Sequence, residues 1–439
     1  MFMYNLRLAL VSMKHNPVLT GLMVLAIAVG IGASMTTLTV LYLLSGDPLP
    51  GRSAHIFFPQ VDSSPFKNNH EPLDRMDYRS AVDLWSAHRA DRQALVVDSQ
   101  LKVRAPDAGK PPRMATMLST TADFFPMFQV PFQYGSGWSA DDDAKRARVA
   151  VISADLNDKL FGGVNSVGRT LTLRHSDVRI IGVLKPWRPS PLFYDVAGGR
   201  FSNGDTADFY GKPEDVITPF TAGLEINDGS FQQFTCWHPP EQPGHLEDSS
   251  CVWVSLWAEL DTPAGVDAYR QFLADYAAQQ KSLGRFLHAD NIRLRSLMQW
   301  LDFNGVVPSD VRLQNWLALA FLVICLSNTV CLLLAKFLRR SSEIGLRRAL
   351  GASRGAIFRQ CLVEAGLIGI MGGVGGWLLT LLGLWLIRQQ QAAYADLAHL
   401  ELPMFIATFA LAVAASLIAG LLPALRASRI APALHLKTL

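Results

Sequence analysis

Four stretches of this chain carry no charged residue for 23 positions or more: Val18–Ser45, Leu313–Ala335, Ala365–Ile387 and Leu402–Leu425. An α-helix rises 1.5 Å per residue, so about 20 residues cross a hydrocarbon layer about 30 Å thick. Each stretch therefore predicts a membrane-spanning helix, because a helix buried in a soluble core rarely stays uncharged for so long. The first, at 28 residues, far exceeds the apolar core of about 7–15 residues in a cleaved signal peptide and predicts a retained helix. Ahead of it, Leu6, Leu10 and Met13 recur at helical spacing with Arg7 and Lys14 on other faces. That pattern predicts a short amphipathic helix within residues 1–17, lying along the membrane surface.

Between the first two spans the pattern changes. Ala94–Val103 and Met114–Ser119 read as strands, and Arg148–Ile152 as a strand running into a helix at Ser153–Phe161. Thr170–Leu173 and Val178–Leu184 predict a hairpin, and Cys251–Leu260 another strand, with Trp253 and Trp257 on one face. Asp77–Arg89 and Ala264–Gln280 read as helices. Residues 186–250, rich in Pro, Gly, Asp and Ser, carry no pattern that assigns an element. The expected fold is a membrane α-helical protein with four transmembrane helices and a large α+β extracytoplasmic domain of two subdomains.

Half the residues are hydrophobic and the mean hydropathy is positive at +0.19, a combination unusual for a soluble protein with a full polar surface. Charge then orients the spans. Residues 1–17, 336–364 and 426–439 together hold 12 of the 40 basic residues and 2 of the 37 acidic ones. The positive-inside rule places these three segments, and so both termini, in the cytoplasm of a bacterial inner-membrane protein. Residues 46–312 and the short loop 388–401 then face outward, between helices expected at 18–45, 313–335, 365–387 and 402–425. The net charge of +3 is the sum of opposite local balances and predicts no nucleic-acid partner.

The five cysteines divide by compartment. Cys325, Cys331 and Cys361 fall at or within the spans, while Cys236 and Cys251 stand outside, where disulfides persist. A Cys236–Cys251 disulfide is the expected state; a metal held with His238 and His245 is the alternative, although the spacing matches no common zinc pattern. No acid, base or nucleophile converges elsewhere, so no catalytic residue and no metal site are expected. Asp141-Asp142-Asp143 reads as a solvated loop.

The most informative stretch lies in the basic loop. Glu343 and Arg347 are an i,i+4 pair in the favourable order. Gly351 suits the left-handed residue after a helix, and Ser353 can cap the next helix, which runs through Ile357, Phe358 and Leu362 into the third span. The prediction is a stiff basic elbow. It serves either to anchor the loop inside the cell or, as its specified shape suggests, to dock a cytoplasmic partner. The third span carries Gly366, Gly369, Gly372, Gly373, Gly375 and Gly376, small residues that let helices approach closely, within one subunit or between two.

The run EIGLRRALGASRGAIFRQCLVEAGLIGIMGGVGG resembles the signature of the MacB/FtsX/LolC permease superfamily. The tail Leu422-Pro423-Ala424-Leu425-Arg426-Ala427-Ser428-Arg429 resembles the end of that family's fourth span. TADFFPMFQVPFQYGSGW, RVAVISADLNDKLFGG and VGRTLTLRHSDVRIIGVLKP are similar to its periplasmic core domain. The resemblance covers about two-thirds of the chain and leaves residues 186–300 unmatched. It implies the permease subunit of an ABC transporter of the mechanotransmission type, in which an ATPase pulls on cytoplasmic coupling helices and moves the periplasmic domains. By that resemblance Glu343, Gly345, Arg347, Arg348, Gly351, Ala352 and Ser353 form the coupling element. ATP and magnesium belong to a separate ABC ATPase dimer, and a second permease subunit, identical or related, completes the membrane part. An efflux role adds a periplasmic membrane-fusion protein and an outer-membrane channel. Lipoprotein release and FtsX-like control of a cell-wall hydrolase are the rival functions within the family.

A phosphate-binding loop needs glycines followed by Lys and Ser or Thr. Here Gly109-Lys110 and Gly211-Lys212 are each followed by Pro. The purified 439-residue chain is therefore expected to hydrolyse no ATP; turnover that survives removal of every contaminating ATPase would refute this.

Overall fold

The computed structural model describes residues 8–9, 11–13, 16–67, 70–105, 111–202, 207–227, 229, 231–242, 244–247, 250–307, 309–389 and 402–429. The predicted surface helix of residues 1–17 falls largely outside them, as do the loop 390–401 and the tail 430–439. Two compact units emerge, one of Met1–Ser45 with Val307–Leu439, the other of Gly46–Val306.

In the first unit four helices are long and apolar enough to cross a membrane. They run Pro17–Ser45, Ser309–Arg339, Arg354–Arg388 and Leu402–Ser428. The second starts before the apolar run at Leu313, and the third includes residues expected in the cytoplasmic loop, because helix continues through flanking polar turns. The third helix packs along the first and the fourth. Its glycines make this contact possible. A Cβ on Gly372 would stand 2.6 Å from Ile27 of the first helix, and one on Gly373 2.9 Å from Ala412 of the fourth. Gly375 and Gly376 face the first helix at Ala28 and Ile31, while Gly366 and Gly369 face the fourth at Leu417 and Ser416. Both stripes are thus occupied by the chain's own helices.

The second unit is built on one sheet. Its strands are β1 (Ile56–Gln60), β2 (Met76–Asp77), β3 (Arg92–Arg104), β4 (Arg113–Thr120), β5 (Phe132–Gly135), β6 (Val149–Ile152), β7 (Thr170–Leu173), β8 (Ser176–Leu184), β9 (Val216–Pro219), β10 (Thr235–Cys236), β11 (Cys251–Glu259) and β12 (Arg293–Ser296). The order is β12-β1-β11-β3-β4-β9-β6-β8-β5, with β2 and β10 added on β11 and β7 joining β3 to β8. Pairing is antiparallel except for β4 with β9 and β6 with β8. Local sequence sets the helices between strands. Asp77 caps Tyr78–Ser86 by accepting from Ser80 N at 3.0 Å, and Ser153 caps Ala154–Phe161, which Gly162 closes in the left-handed region. Thr262 caps Pro263–Ser282, with Pro263 in its first turn.

In place of two separate subdomains, this one compact unit carries two hydrophobic cores on a common sheet. One gathers β3, β11 and the helices 78–86 and 263–282 around Leu84, Trp253, Leu256 and Tyr269. The other gathers β6, β7, β8 and the helix 154–161 around Ile152, Leu156, Leu171 and Ile180. Trp253 and Trp257 do not share a core, contrary to their spacing. The register shifts between Val252 and Val254, and this irregularity changes which face later side chains take. Trp253 joins the first core, whereas Trp257 meets Phe58, Phe128 and Phe193. Among the described residues, the unassigned stretch 186–250 supplies β9, β10, the helix Phe220–Asn227 and three short 3-10 turns.

Cys236 and Cys251 face each other across β10 and β11 and form a disulfide. They close a loop with a sequence separation of 15, and such a closure stabilises by about 3 kcal/mol. The doubly substituted C236S/C251S chain should lose about that much in denaturant unfolding. Native chain should take up maleimide at neither position before reduction, and labelling of both without reductant would refute the bond.

Candidate functional site

The elbow is a helix, Ser341–Ala349, set between the second and third membrane helices. Its end is a Schellman closure: Gly351 N donates to Arg348 O at 3.1 Å and Ala352 N to Arg347 O at 3.1 Å. Gly351 takes φ +99° with open space where a side chain would stand, so only backbone conformation demands glycine there. Ser353 Oγ then accepts from Ala356 N at 3.2 Å and starts the next helix. Ion pairs fix the angle between these pieces. Arg340 grips Glu343 with Nε at 2.9 Å and Nη2 at 3.0 Å. Arg347 reaches Glu343 Oε1 at 2.7 Å and Gln360 Oε1 of the third membrane helix at 3.1 Å.

The seven residues expected to form the coupling element therefore lie on one continuous turn of chain, in unlike roles. Glu343 and Arg347 are internal ties, and Arg348 Nη1 lies 3.5 Å from the Ser428 carbonyl. The two arginines are engaged by the chain itself instead of being left free for a partner. Gly345 and Ile344 are buried, Ala352 packs half-buried against the membrane core, and Ser353 caps. The large side chains left standing outward on the elbow are Leu346 and Leu350, 55% and 80% exposed. The sequence carried this signal as two apolar residues four apart within a basic run.

In the other unit, residues preceding the second membrane helix are held by the stretch 186–250. Trp300 Nε1 donates to Val196 O at 3.0 Å, Gly199 N to Asn304 Oδ1 at 3.1 Å, and the Tyr210 hydroxyl to Val306 O at 3.0 Å. Beneath them lies a buried charge cluster that no local pattern announced. Arg75 Nη2 meets Asp195 at 2.7 Å and its Nη1 meets Asp98 at 3.3 Å. The Tyr194 hydroxyl donates to Glu214 Oε2 at 2.9 Å. Burial raises the Glu214 carboxyl to about 7, against its own backbone N–H and the Tyr194 hydroxyl, with Asp98 and Asp215 adding to the rise. Burial also raises Asp195 well above the ordinary range.

The aspartate run is helical as well. Ala140–Ala144 carries a Ser139–Asp142 capping box, and Asp143 is buried, accepting from Ala122 N at 2.7 Å and Trp138 Nε1 at 2.9 Å. Burial raises that carboxyl to about 6. The solvated loop expected there is replaced by a structural acid, because two donors from the fold reach one carboxylate. Among the described residues no cluster of three or more His, Cys, Asp or Glu could hold a metal ion.

Four helices of spanning length, a capped elbow between the second and third, and an α+β domain between the first and second define a membrane permease with a large periplasmic domain. The MacB-like periplasmic core domain matches residues 20–271, and the FtsX-like permease C-terminal domain matches residues 315–432. The chain belongs to the MacB/FtsX type of ABC transporter permease. It is 26% identical over 329 residues to the pyoverdine export ATP-binding/permease protein PvdT of Pseudomonas entomophila, covering 70% of this chain and 41% of that protein. It is 25% identical over 309 residues to the macrolide export ATP-binding/permease protein MacB 1/2 of Paracoccus denitrificans, covering 70% and 40%. The chain thus spans about 40% of the length of the curated relatives it matches. Among solved structures, the periplasmic region of MacB from Actinobacillus actinomycetemcomitans aligns with a TM-score of 0.36 at 12% identity, covering 58% of this chain and 94% of that one.

A carboxyl raised from 4.5 to about 7 is protonated in the folded chain and ionised in the unfolded one throughout that window. The unfolded chain then binds fewer protons, so stability falls as pH rises from about 4.5 to about 7. Glu214→Gln should remove this part of the slope and raise stability near pH 8 by about 3 kcal/mol. Tryptophan-monitored unfolding between pH 5 and 8 reads this directly; equal slopes for both proteins would refute it.

Proposed function

We propose that this chain is the membrane-spanning part of a mechanotransmission-type ABC transporter, working in export. The elbow supports the reading: a helix closed by Gly351, tied by Glu343 to Arg340 and Arg347, and presenting Leu346 and Leu350 outward. Force passes only through a contact that is stiff and shaped. Two ion pairs and a Schellman closure supply stiffness, and two exposed leucines supply an apolar knob for a groove on an ATPase. That ATPase, with its ATP and magnesium, lies outside these 439 residues as a separate dimer, and two permease subunits meet above it. The elbow and both termini lie on the cytoplasmic side of the inner membrane. The network around Trp300, Asn304 and Tyr210 then carries motion into the periplasmic domain. The export names of PvdT and MacB relatives favour efflux, with a membrane-fusion protein and an outer-membrane channel as further partners.

The test is capture of the co-expressed ATPase by affinity-tagged full chain in mild detergent. L346E/L350E should insert normally and lower capture at least about tenfold, as loss of buried apolar anchors does. Gly351→Val should cost about 1–2 kcal/mol of local strain, tilt the elbow and lower stimulated hydrolysis while leaving the Cys236–Cys251 disulfide formed. Wild-type capture and stimulation by both variants would sink the coupling assignment.

A further inference from the structure

Glu364, on the third membrane helix, is 2% exposed, and Lys336, near the end of the second, is 1% exposed. Lys336 Nζ stands 2.6 Å from Glu364 Oε1. The Ser12 hydroxyl donates to the same oxygen at 2.6 Å and accepts from Arg340 Nη1. That nitrogen also lies 3.5 Å from Glu364 Oε2. Lys336 donates further to Thr20 Oγ1 of the first membrane helix at 3.2 Å. One carboxylate thereby gathers groups from the segment before the first helix and, directly or through Lys336, from the first three membrane helices.

Burying an ammonium and a carboxylate among apolar helices is unfavourable next to a packed apolar pair of the same volume. Ionisable residues retained inside helical membrane bundles accordingly mark function, with the partner as part of the site. The partner here leads to the elbow. Arg340 holds Ser12 and Glu364 through Nη1 and Glu343 through Nε and Nη2. Its guanidinium is planar and its donors are fixed in direction, so it cannot turn toward one group without leaving the other. A displacement of the elbow must therefore be shared by Ser12 and Glu364 or break these contacts.

We propose that Glu364, Lys336, Arg340 and Ser12 form a buried ionic joint that sets the angle of the elbow on the membrane helices, and that the segment carrying Ser12 is a working part of the coupling apparatus. All four are positioning residues, and their role rests on the reading of the elbow given above. The joint makes elbow, second helix and third helix move as one piece. Without it, the elbow is held to the third helix through Arg347 and Gln360 and to the end of the fourth through Arg348.

Hydrogen–deuterium exchange on the full chain in lipid nanodiscs tests the joint with no ATPase present. K336M/E364Q removes both charges at similar volume and leaves no unpaired buried ion. Backbone amides of residues 341–353 should then exchange about tenfold faster, with the fourth membrane helix unchanged. K336R, which keeps the pair, should exchange as the unaltered chain does, and S12A should give a smaller increase of about threefold confined to the elbow. Unchanged elbow exchange in K336M/E364Q overturns the proposal. So does a rise spread evenly over all four membrane helices, which marks a general folding role, or loosening by K336R as large as that of the charge-free pair. ATPase capture by the elbow variants fails or succeeds separately, so the coupling reading and the joint are judged apart.

Discussion

Hydrocarbon offers no hydrogen-bond partner, so a backbone that crosses it must satisfy its own polar groups, and helices do so within themselves. That constraint governs how this chain is divided. Four helices of 27 to 35 residues take the apolar segments, while the residues between the first two build a sheet whose ladders require a different environment. Within the helical unit there is no hydrophobic drive for one apolar helix to meet another, and close approach must come from small residues and from polar contacts. The glycines of the third helix provide the first, against Ile27 and Ile31 on one side and Ala412 and Ser416 on the other. The contacts of Lys336, Arg340 and Glu364 provide the second.

The elbow shows how a short helix keeps a defined angle where neither a core nor a sheet can hold it. Its nine residues are too few to persist alone in water. Caps close both sides of the bend, and Glu343 accepts from arginines on either side of it in sequence. Arg347 continues to Gln360, so the elbow is braced to the helix it precedes. Arginines that make the loop basic, Arg340 and Arg347 among them, also make it rigid.

The periplasmic unit uses charge differently. Arg75 is surrounded by Asp98 and Asp195 in a region that also buries Glu214, and one guanidinium cannot balance three carboxylates. Burial resolves the excess by favouring protonated carboxyls. The carboxyls of Glu214 and Asp195 contribute their stability on the acid side of neutrality, which follows from where the chain folds them and not from their number.

Composition and spacing determined much of this protein without any coordinates. The four spans, the cap at Ser353, the left-handed glycine at 351 and the strands expected at 94–103, 114–119, 170–173 and 178–184 rest on local rules, namely period, cap chemistry and β-branching, which act over a few residues. What tertiary structure decided lies beyond that range. The register shift in β11 sends Trp253 and Trp257 to different cores, though their spacing placed them together. Asp143 is a buried acceptor because Ala122 and Trp138 arrive from elsewhere in the fold. Arg347, paired with Glu343 as its spacing suggested, also reaches Gln360, and Arg348 reaches the Ser428 carbonyl, which leaves Leu346 and Leu350 as the outward side chains. Glu364 reads as one of two acids in the basic loop until Lys336 and Ser12, 28 and 352 positions away, are brought to its oxygens. Local sequence specifies what a segment can be; which groups meet across hundreds of residues is set by packing, and there the charges of this protein acquire their work.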